Sequence, residues 1–521
     1  MGFILLAPGP WEHGSGTSLS TRVDAKSAPS PGKHHPARSP APSPALPSEG
    51  TTGRAASASR PPEIARMSEP GITRNGSSRP LSRTRRRRVL ILGGGFAGMY
   101  AALHLEKRLA RRDDVEVMLV SHDNYFLFTP MLHEVAASDV DPAAIVVALR
   151  KVLPHVAFVE GDATRIDLGA REVRVSHGEQ GGHDHVLAYD DLVMAMGSET
   201  NFFGQEGAKH HALTMKTLGD AVLLRNHLID RLEEADTACI TRGDRDRGVT
   251  FVVVGGGFAG VETAGAVNDF IRGALPYYPR IQPADVRVVL VHGGAEVLPE
   301  LGAGLGAYAR NKLSRNGVEV LTHTRVVEVD GQSVTLSDGS RRATRTVVWV
   351  AGVTPTPLLE DLPCEKHQGR LRVTERLEVP GHPGVWAVGD CASVPDVTRG
   401  GHPTPPTAQH ALRQGVAVAR NVEAAHQGKP PRVFRYRMVG QLAAIGRRSG
   451  VARILGLKFS GFVAWFLWRG VYWWKLPRVE KKVRVALDWA LDLFFHKDIV
   501  QLIGARELER FPLPVRELVL P

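Results

Sequence analysis

One hydrophobic pattern occurs twice along the chain. An apolar run typical of a buried parallel strand leads directly into closely spaced glycines and then into a helix-like segment. The runs are Val89–Leu92 and Phe251–Val254. The glycines that follow them are Gly93, Gly95 and Gly98 in the first copy and Gly255, Gly257 and Gly260 in the second. In a dinucleotide fingerprint such glycines permit a tight turn, close approach of a pyrophosphate, and helix–strand packing. The pattern predicts two dinucleotide-binding units, or one such unit and a degenerate copy.

The second strand of each unit is predicted at Val115–Val120 and Val286–Val291. In this kind of fold the end of that strand usually carries an acid that holds a ribose hydroxyl. Ser121 and His292 stand at those places. A serine can still hydrogen-bond a ribose, but more weakly than an acid.

Further apolar runs predict the remaining strands. Val156–Asp167 is expected to form another strand and turn, and Val318–Val329 is expected to form a hairpin-like pair with Gly331–Gly339. A strand that ends in glycine closes each unit, at Gly197 and at Gly352.

A late apolar segment that ends in Gly389 and Asp390 indicates a return to the first unit. The predicted fold is α/β, with two Rossmann-like dinucleotide-binding domains and an amphipathic C-terminal region, and the first domain is discontinuous. The predicted divisions are a tail at 1–85, the first domain at 86–205, the second at 206–350, the return at 351–428 and the C-terminal region at 429–521.

Residues 1–85 are rich in Pro, Ser, Ala, Gly and Arg and have no sustained apolar period. Such a composition cannot bury enough surface to offset the entropy of ordering, so a disordered basic tail is predicted. A transit peptide and a translation start at Met67 are alternatives.

The C-terminal region combines aromatic and basic residues. The aromatic run Phe462–Trp474 is shorter than the roughly 20 apolar residues that cross a bilayer, and it contains Arg469. Apolar residues at helical spacing follow it and predict an amphipathic helix on a membrane surface. Packing on the protein itself or on a dimer partner is the alternative. The tryptophans expected at the lipid headgroup level are Trp465, Trp468, Trp473 and Trp474.

The net charge of +11 is concentrated at the two ends. Residues 1–88 contain 14 Lys or Arg and 5 Asp or Glu, and residues 429–521 contain 18 and 7, so the part between them is acidic. Basic ends can attract anionic lipid or nucleic acid. The apolar face beside the C-terminal charges favours lipid, and no nucleic acid is expected.

Three cysteines, Cys239, Cys364 and Cys391, are widely separated in the sequence. Their spacing fits neither a disulfide framework nor a metal site, so no metal is predicted. Cys391 is expected to be a small buried residue.

These residues resemble a known family, the type II NADH:quinone oxidoreductases, which are single-subunit NADH dehydrogenases that do not pump protons. The resemblance covers about residues 86–500. It rests on both glycine fingerprints, on the Gly389–Asp390 segment, on the run Pro406–Gln414 and on the basic aromatic tail. Three stretches are more specific: the Ala-Gln-x-Ala segment Ala408–Ala411, Ile445–Gly450 and Leu457–Trp465.

The resemblance implies a role for each matching residue. FAD would be held by Gly93, Gly95, Phe96, Ala97, Gly98, Ser121, Gly197, Gly389 and Asp390. NADH would be held by Gly255, Gly257, Phe258, Gly260, Glu262, His292 and Gly352. Quinone would be bound by Ala408, Gln409, Arg413 and Gln414. Asp390 would contact the ribityl–phosphate region of FAD, and Glu262 would lie near the nicotinamide. The implied catalytic residues are Glu262, Gln409 and Gln414.

Three positions depart from the family pattern, and at one of them, Ser121 in place of an acid, some members resemble this chain. The family often has Gln at the place of Arg413, which leaves the contacts with the quinone head open. His292 replaces an acid that would repel a 2′-phosphate, so use of NADPH beside NADH is left open.

The implied reaction passes a hydride from NADH to FAD and two electrons to a membrane quinone. Candidates for proton delivery are His133, His410 and Glu262. A homodimer is left open, and the expected location is peripheral, on the cytoplasmic face of a bacterial inner membrane. The alternatives are a sulfide:quinone or disulfide-reductase-like enzyme and a flavoprotein with a binding role that resembles apoptosis-inducing factor.

Overall fold

The computed structural model describes residues 86–177, 183–237, 240–495 and 497–502. The predictions for residues 1–85 therefore lie outside the described residues, and so does Cys239.

The strands of the first part of the chain are β1 (Arg87–Leu92), β2 (Val115–Ser121), β3 (Tyr125–Leu127), β4 (Val146–Ala148), β5 (Ala157–Glu160), β6 (Asp162–Asp167), β7 (Glu172–Ser176), β8 (His185–Ala188), β9 (Asp191–Met194) and β10 (Glu199–Thr200). Those of the middle part are β11 (Thr250–Val254), β12 (Arg287–Val291), β13 (Val318–Leu321), β14 (Val326–Val329), β15 (Ser333–Leu336), β16 (Arg341–Ala343), β17 (Thr346–Trp349) and β18 (Val353–Thr354). The last ones are β19 (Lys366–His367), β20 (Arg370–Arg372), β21 (Val385–Ala387), β22 (Ala392–Ser393), β23 (Gly440–Ala444), β24 (Gly450–Ile454) and β25 (Leu457–Ser460).

The α-helices are α1 (Phe96–Leu105), α2 (Leu132–Ala136), α3 (Leu149–Val152), α4 (Glu206–His211), α5 (Leu218–Ala235), α6 (Arg242–Gly248), α7 (Phe258–Ala274), α8 (Ala303–Arg315), α9 (Ala408–His426), α10 (Gly461–Lys475) and α11 (Val479–Phe494).

The first glycine pattern follows the central strand of a five-stranded parallel sheet with the order β21–β9–β1–β2–β5. Val89 pairs with Val117 on one side and with Asp191 on the other. The apolar side chains of β1 are buried on both faces of the sheet, which explains its continuous Val, Leu and Ile run. Edge strand β21 comes from the late segment before Gly389, so the predicted return of the chain is observed.

The second glycine pattern follows β11 in a four-stranded parallel sheet with the order β13–β12–β11–β17. The order β5–β2–β1–β9 of the first sheet is thus repeated. A three-stranded antiparallel sheet precedes the closing strand in each copy: β6–β7–β8 before β9 and β14–β15–β16 before β17. The two copies are joined by the antiparallel pair β10–β18. The α/β fold with two Rossmann-like units is therefore confirmed.

Two strand predictions are wrong in detail. Val318–Leu321 pairs in parallel with β12, and only Val326–Val329 forms the hairpin with β15. Val156–Asp167 splits between two sheets, because β5 joins the parallel sheet while β6 pairs with β7. In both cases one apolar run contributes strands to two different sheets, and hydrophobic periodicity alone does not show where the run divides.

A later segment of the chain packs on each helix that follows a glycine loop, and a glycine at the contact permits the close approach. Helix α9 lies on α1, where a Cβ added to Gly415 would overlap the carbonyl of Ala97. The turn after β23 lies on α7, where a Cβ added to Gly265 would be 2.8 Å from the amide nitrogen of Gly446. These close approaches fix which segment covers which helix.

The C-terminal region forms an antiparallel sheet, β23–β24–β25, followed by α10 and α11. The apolar stripe of α11 faces outwards, together with part of α10. We call it the apolar face, and its exposed members are Phe462, Val463, Phe466, Val479, Val483, Leu487, Leu491 and Phe494. Among the described residues, the helices are too short or too polar to cross a membrane.

Candidate functional site

The first glycine loop joins β1 to α1. Gly93 has a φ of +100°, and a Cβ added there would overlap the carbonyl of Ala195. A Cβ added to Gly98 would overlap the carbonyl of Gly93, which shows how closely helix and strand pack. A Cβ on Gly95, in contrast, would have no contact within 4 Å among the described residues beyond its chain neighbours. The backbone at Gly95 therefore leaves the free N–H groups of the α1 N-terminus open to an anion.

The second glycine loop repeats this geometry between β11 and α7. Gly255 has a φ of +119°, and its added Cβ would be 2.7 Å from the Cα of Ala351. A Cβ on Gly260 would overlap the carbonyl of Gly255. A Cβ on Gly257 would have no contact within 4 Å within the described part of the chain, apart from its own neighbours. The α7 N-terminus is thus a second open anion site.

The residues at the ends of the second strands, β2 and β12, hold the two glycine loops. The amide of Gly94 donates to Ser121 Oγ over 3.2 Å, and the amide of Gly256 donates to His292 Nδ1 over the same distance. As an acceptor, Nδ1 carries no proton, and burial lowers the pKa of His292. Ser121 and His292 therefore each accept a hydrogen bond from their own glycine loop. Only their other atoms remain available to contact a ribose.

The Gly389–Asp390 turn lies beside the first loop. Gly389 has a φ of +76°, and its added Cβ would be 3.1 Å from the Cβ of Ala97. Its amide donates to Gln414 Oε1 over 2.8 Å, while Gln414 Nε2 donates to Thr404 Oγ1 over 3.0 Å. Gln414 is buried, so its contacts in the structure support this turn.

Asp390 ends a chain of hydrogen bonds that the sequence did not indicate. Ser198 Oγ donates to Asp390 Oδ2 over 2.9 Å, and Lys216 Nζ donates to Ser198 Oγ over 2.9 Å. Ser198 follows Gly197, which has a φ of +72°. This chain places a lysine one hydroxyl away from the carboxylate.

The first turns of α9, which begins at Ala408, contact the C-terminal region. Gln409 Oε1 accepts a hydrogen bond from the Tyr436 hydroxyl and Gln409 Nε2 donates to the Gly440 carbonyl, each over 3.0 Å. The Arg413 guanidinium lies 4.1 Å from the centre of the Tyr436 ring. Tyr436 is thus a neighbour of two of the four predicted quinone residues, Gln409 and Arg413, and no motif marked it in the sequence.

Glu262, two residues after Gly260 on α7, is buried where α7 meets the C-terminal region. Its Oε1 accepts from the amide of Ala444 over 3.1 Å and from Trp468 Nε1 over 3.0 Å. Burial raises the pKa of Glu262 to about 8. Since Oε1 already accepts twice, a proton on the neutral acid is best placed on Oε2, which lies 3.9 Å from His133 Nδ1.

His133 shares this buried chamber. Its ring centre is 5.3 Å from that of Trp468, and its Nε2 has no hydrogen-bond partner among the described residues. Burial lowers the pKa of His133 to about 3, so the ring is neutral. Burial also lowers the pKa of His410, the third candidate for proton delivery.

The prediction that Trp468 lies at the headgroup level is wrong. Trp468 is fully buried, because its indole N–H meets the Glu262 carboxyl inside the protein. Arg469 also points inwards: its guanidinium lies between the rings of Trp465 and Trp489, at 4.4 and 4.5 Å from their centres. Arg469 faces Glu134, at 3.8 Å.

A cavity of about 980 Å³ opens at the ends of β2 and β5, next to Ser121. Its walls include Arg150 stacked on the Phe158 ring, at 4.8 Å from the ring centre, and His122 bonded to Asp162 over 3.0 Å. The Asp162 carboxylate raises the pKa of His122. No sequence motif indicated the pairing of His122 with Asp162, which is 40 residues away along the chain.

The described cysteines do not form a reactive pair. Cys391 Sγ donates to the Val388 carbonyl, and burial raises the pKa of this thiol to about 11, which disfavours the thiolate. Cys364 is separate and unbridged. Among the described residues, there is no group of three or more His, Cys, Asp or Glu that could hold a metal.

Comparisons with known proteins agree with this arrangement. A family model described as "Pyridine nucleotide-disulphide oxidoreductase" matches residues 87–415, and one described as "NDH2 C-terminal domain" matches residues 438–498. The chain is 34% identical over 423 residues to "Type II NADH:quinone oxidoreductase Ndh" of Mycobacterium tuberculosis, an alignment that covers 78% of this chain and 88% of that protein.

Another relative from the same organism, "Type II NADH:quinone oxidoreductase NdhA", is 32% identical over 424 residues, covering 78% of this chain and 87% of that protein. A solved structure of NDH2 from Plasmodium falciparum, determined in complex with NADH, matches with a TM-score of 0.74 at 20% identity. It covers 80% of this chain and 100% of that chain, and this likeness shows the fold.

Proposed function

The chain belongs to the type II NADH:quinone oxidoreductases, and we propose that it carries out their reaction with FAD at the first glycine loop and NADH at the second. It is an NADH:quinone oxidoreductase that does not pump protons. The observation that supports this division most directly is that only the first loop has the Gly389–Asp390 turn beside it.

The residues of the first loop fit FAD. The open backbone at Gly95 would admit a pyrophosphate, which the α1 N-terminus would hold. Asp390 would accept a hydrogen bond from the ribityl hydroxyls. The cavity beside Ser121 would bind the adenosine end of FAD. There the His122–Asp162 pair would hydrogen-bond the ribose, as the acid that is usual at the end of the second strand does.

When bound, FAD would supply the acceptance of a hydride and the onward transfer of two electrons. The residues of the chain hold the reactants in place and hold a proton. Gly257 and the α7 N-terminus would bind the NADH pyrophosphate. Glu262 keeps a proton at neutral pH, because its pKa is about 8, and His133 lies next to the oxygen that carries it.

The quinone would approach at the first turns of α9, where Gln409 and Arg413 meet Tyr436. At this place α9 contacts the C-terminal region. The guanidinium of Arg413 is held by stacking and would offer N–H donors to a quinone oxygen, a contact that the Gln common in the family would make without charge.

We propose further that the apolar face rests on the membrane surface, at the cytoplasmic face of a bacterial inner membrane where NADH is available. The side chains of Val479 and Phe494 are 73% and 82% exposed, which is unusual for large apolar residues. Basic residues near them, such as Arg484, would each add on the order of 1 kcal/mol of attraction to anionic lipid.

Visible spectra of the purified protein test the cofactor and the reaction. We expect a flavin band, loss of that band on anaerobic addition of NADH, and its return when a quinone is added. A colourless protein, or a flavin that NADH does not reduce, would contradict the proposal.

Sedimentation with anionic liposomes tests the membrane contact. We expect the intact protein to sediment, high salt to release part of it, and Leu487→Glu with Leu491→Glu to leave it in the supernatant. Val186→Glu with Val327→Glu, on the small antiparallel sheets, is the matched control because these valines are similarly exposed. A protein that stays in the supernatant and elutes as a dimer would identify the apolar face as a dimer interface.

A further inference from the structure

Lys216 lies at the boundary between the two sheets and is used neither by the glycine loops nor by the quinone region. Its ammonium donates to Ser198 Oγ, and the same hydroxyl donates its only proton to Asp390 Oδ2. The direction of this chain is fixed, because a serine hydroxyl that gives its proton to a carboxylate can only accept from the lysine.

The backbone of Lys216 belongs to the second unit. Leu213, three residues earlier, pairs with Val348 of β17 and so extends the second parallel sheet. The amide of Lys216 donates to Asp220 Oδ2 over 2.7 Å, and Asp220 also completes the capping box of α5 with Thr217. The Lys216 backbone is therefore held firmly while its side chain reaches across to the first unit.

Lys216 is partly buried. Burial lowers the pKa of Lys216, and the nearby Asp390 carboxylate opposes that shift. A buried cation costs stability unless a charge partner and hydrogen bonds compensate for lost hydration. A methionine would fill the same space without this cost, so the cation itself requires an explanation.

We propose that Lys216 is a positioning residue for Asp390, acting through Ser198 to fix the carboxylate that holds FAD. This inference rests on the proposed function of the first loop. The cation and the hydroxyl orient one carboxylate oxygen, which leaves the other free to meet the flavin side chain. The residue that orders the FAD contact thus comes from the unit that would bind NADH.

Flavin release from the holoenzyme tests this role, followed as the rise in flavin fluorescence after dilution. We expect Lys216→Met and Ser198→Ala each to speed release by about tenfold, the usual effect of losing one hydrogen bond to a charged group. Because both changes break the same chain, the double variant should release FAD no faster than the faster single variant. Lys216→Arg, which can still donate to the hydroxyl, should restore most of the retention.

The midpoint potential of the bound flavin gives a second readout. Loss of the cation disfavours the electron-richer reduced flavin, and a tenfold change in relative affinity corresponds to a fall of about 30 mV. Lys209→Met, on the exposed end of α4, is the matched control and should change neither quantity.

Unchanged release and potential in Lys216→Met, measured against a wild type that holds FAD, would overturn the inference. Multiplication of the two single effects in the double variant would also overturn it, since Lys216 would then act apart from Ser198. If Lys216→Met loses thermal stability, Ser198→Ala and Lys216→Arg decide. A wild type without flavin would instead defeat the proposed function itself.

Discussion

The two glycine loops are nearly the same structure with different covers. In both, the positions of the outer glycines have no room for a side chain, the middle glycine faces open space, and a residue at the end of the next strand accepts a hydrogen bond from an amide of the loop. The helix that follows the first loop, α1, is covered by α9 and the Gly389–Asp390 turn, and the helix that follows the second, α7, is covered by β23 and α10. The fingerprint therefore supplies a place for a pyrophosphate, and the later segment decides what the place is used for.

The hydrogen bonds beside the two loops also differ in charge. On the first side the buried group that accepts a backbone amide is Gln414 of α9, a neutral amide. On the second side it is Glu262 of α7, a carboxyl that can ionise and that accepts the Ala444 amide of the covering segment. A cofactor that stays bound, as we propose for FAD, requires a constant environment, whereas the binding of a donor that reacts and leaves can be coupled to the uptake or release of a proton. The following experiments test this division, in order of decreasing effect.

Blocking each loop in turn should break the comparison most completely. Gly95→Val should give colourless protein, because a side chain there occupies the space left for the FAD pyrophosphate. Gly257→Val should keep the flavin but slow its reduction by NADH about a hundredfold or more, on the order of 3 kcal/mol. Flavin content and the rate of anaerobic bleaching measure these effects. A full flavin content in the purified Gly95→Val variant would contradict the assignment of FAD to the first glycine loop.

The ionisable contact between α7 and the C-terminal region should make stability depend on pH. The pKa of Glu262 is raised from 4.5 to about 8, so between these values the folded protein keeps a proton that the unfolded chain releases. Wild-type stability therefore falls as pH rises through this window, by at most about 1.4 kcal/mol per unit from this group.

Glu262→Gln removes that loss, because its amide oxygen can still accept from Ala444 and Trp468. We expect the unfolding free energy of Glu262→Gln, relative to that of the wild type, to be larger at pH 8 than at pH 5. Glu365→Gln, at an exposed glutamate, is the control. A gain that does not change with pH would show that Glu262 is already ionised in the folded protein.

Gln409 separates the two half-reactions. Gln409→Ala removes its bonds to Tyr436 and Gly440 at the cover of the first loop. We expect the transfer to quinone to slow by about tenfold or more while reduction by NADH stays nearly unchanged. Stopped-flow traces of each half-reaction measure this. An equal fall in both would mean that Gln409 supports the flavin instead.

The smallest effect is expected at the residues that hold the loops. His292→Asp would keep an acceptor for the Gly256 amide and add a charge that repels a 2′-phosphate. Its preference for NADH over NADPH should rise roughly fivefold, about 1 kcal/mol. Ser121→Asp is the matched change at the first loop and should leave donor preference as it was. Equal shifts in both would contradict the assignment of the loops.

The sequence predicted what short segments determine. Apolar runs that end in glycine located β1, β11 and both loops, because strand, turn and helix there follow each other within about 15 residues. What it missed depends on partners far along the chain, such as Trp468 with Glu262 or Lys216 with Asp390.

The tryptophans of α10 show why composition was ambiguous. Trp, Phe and Arg in one short helix suit a membrane interface, but they also suit a helix that docks on buried carboxyls. Trp465 and Arg469 fall between these readings because both touch the protein beside an exposed apolar face. The deciding fact is the hydrogen-bond partner of Trp468, which no local pattern contains.

The late position of β21 has a consequence for synthesis on the ribosome. The four strands of the second parallel sheet lie within residues 250–349, so that unit can form as soon as it emerges. The first sheet lacks its edge strand until Val385–Ala387 has been made, and α1 lacks its cover until α9 follows. The first unit is thus the earlier one to be synthesised and the later one to finish folding. Until β21 has been made, the unpaired edge of β9 requires protection from aggregation.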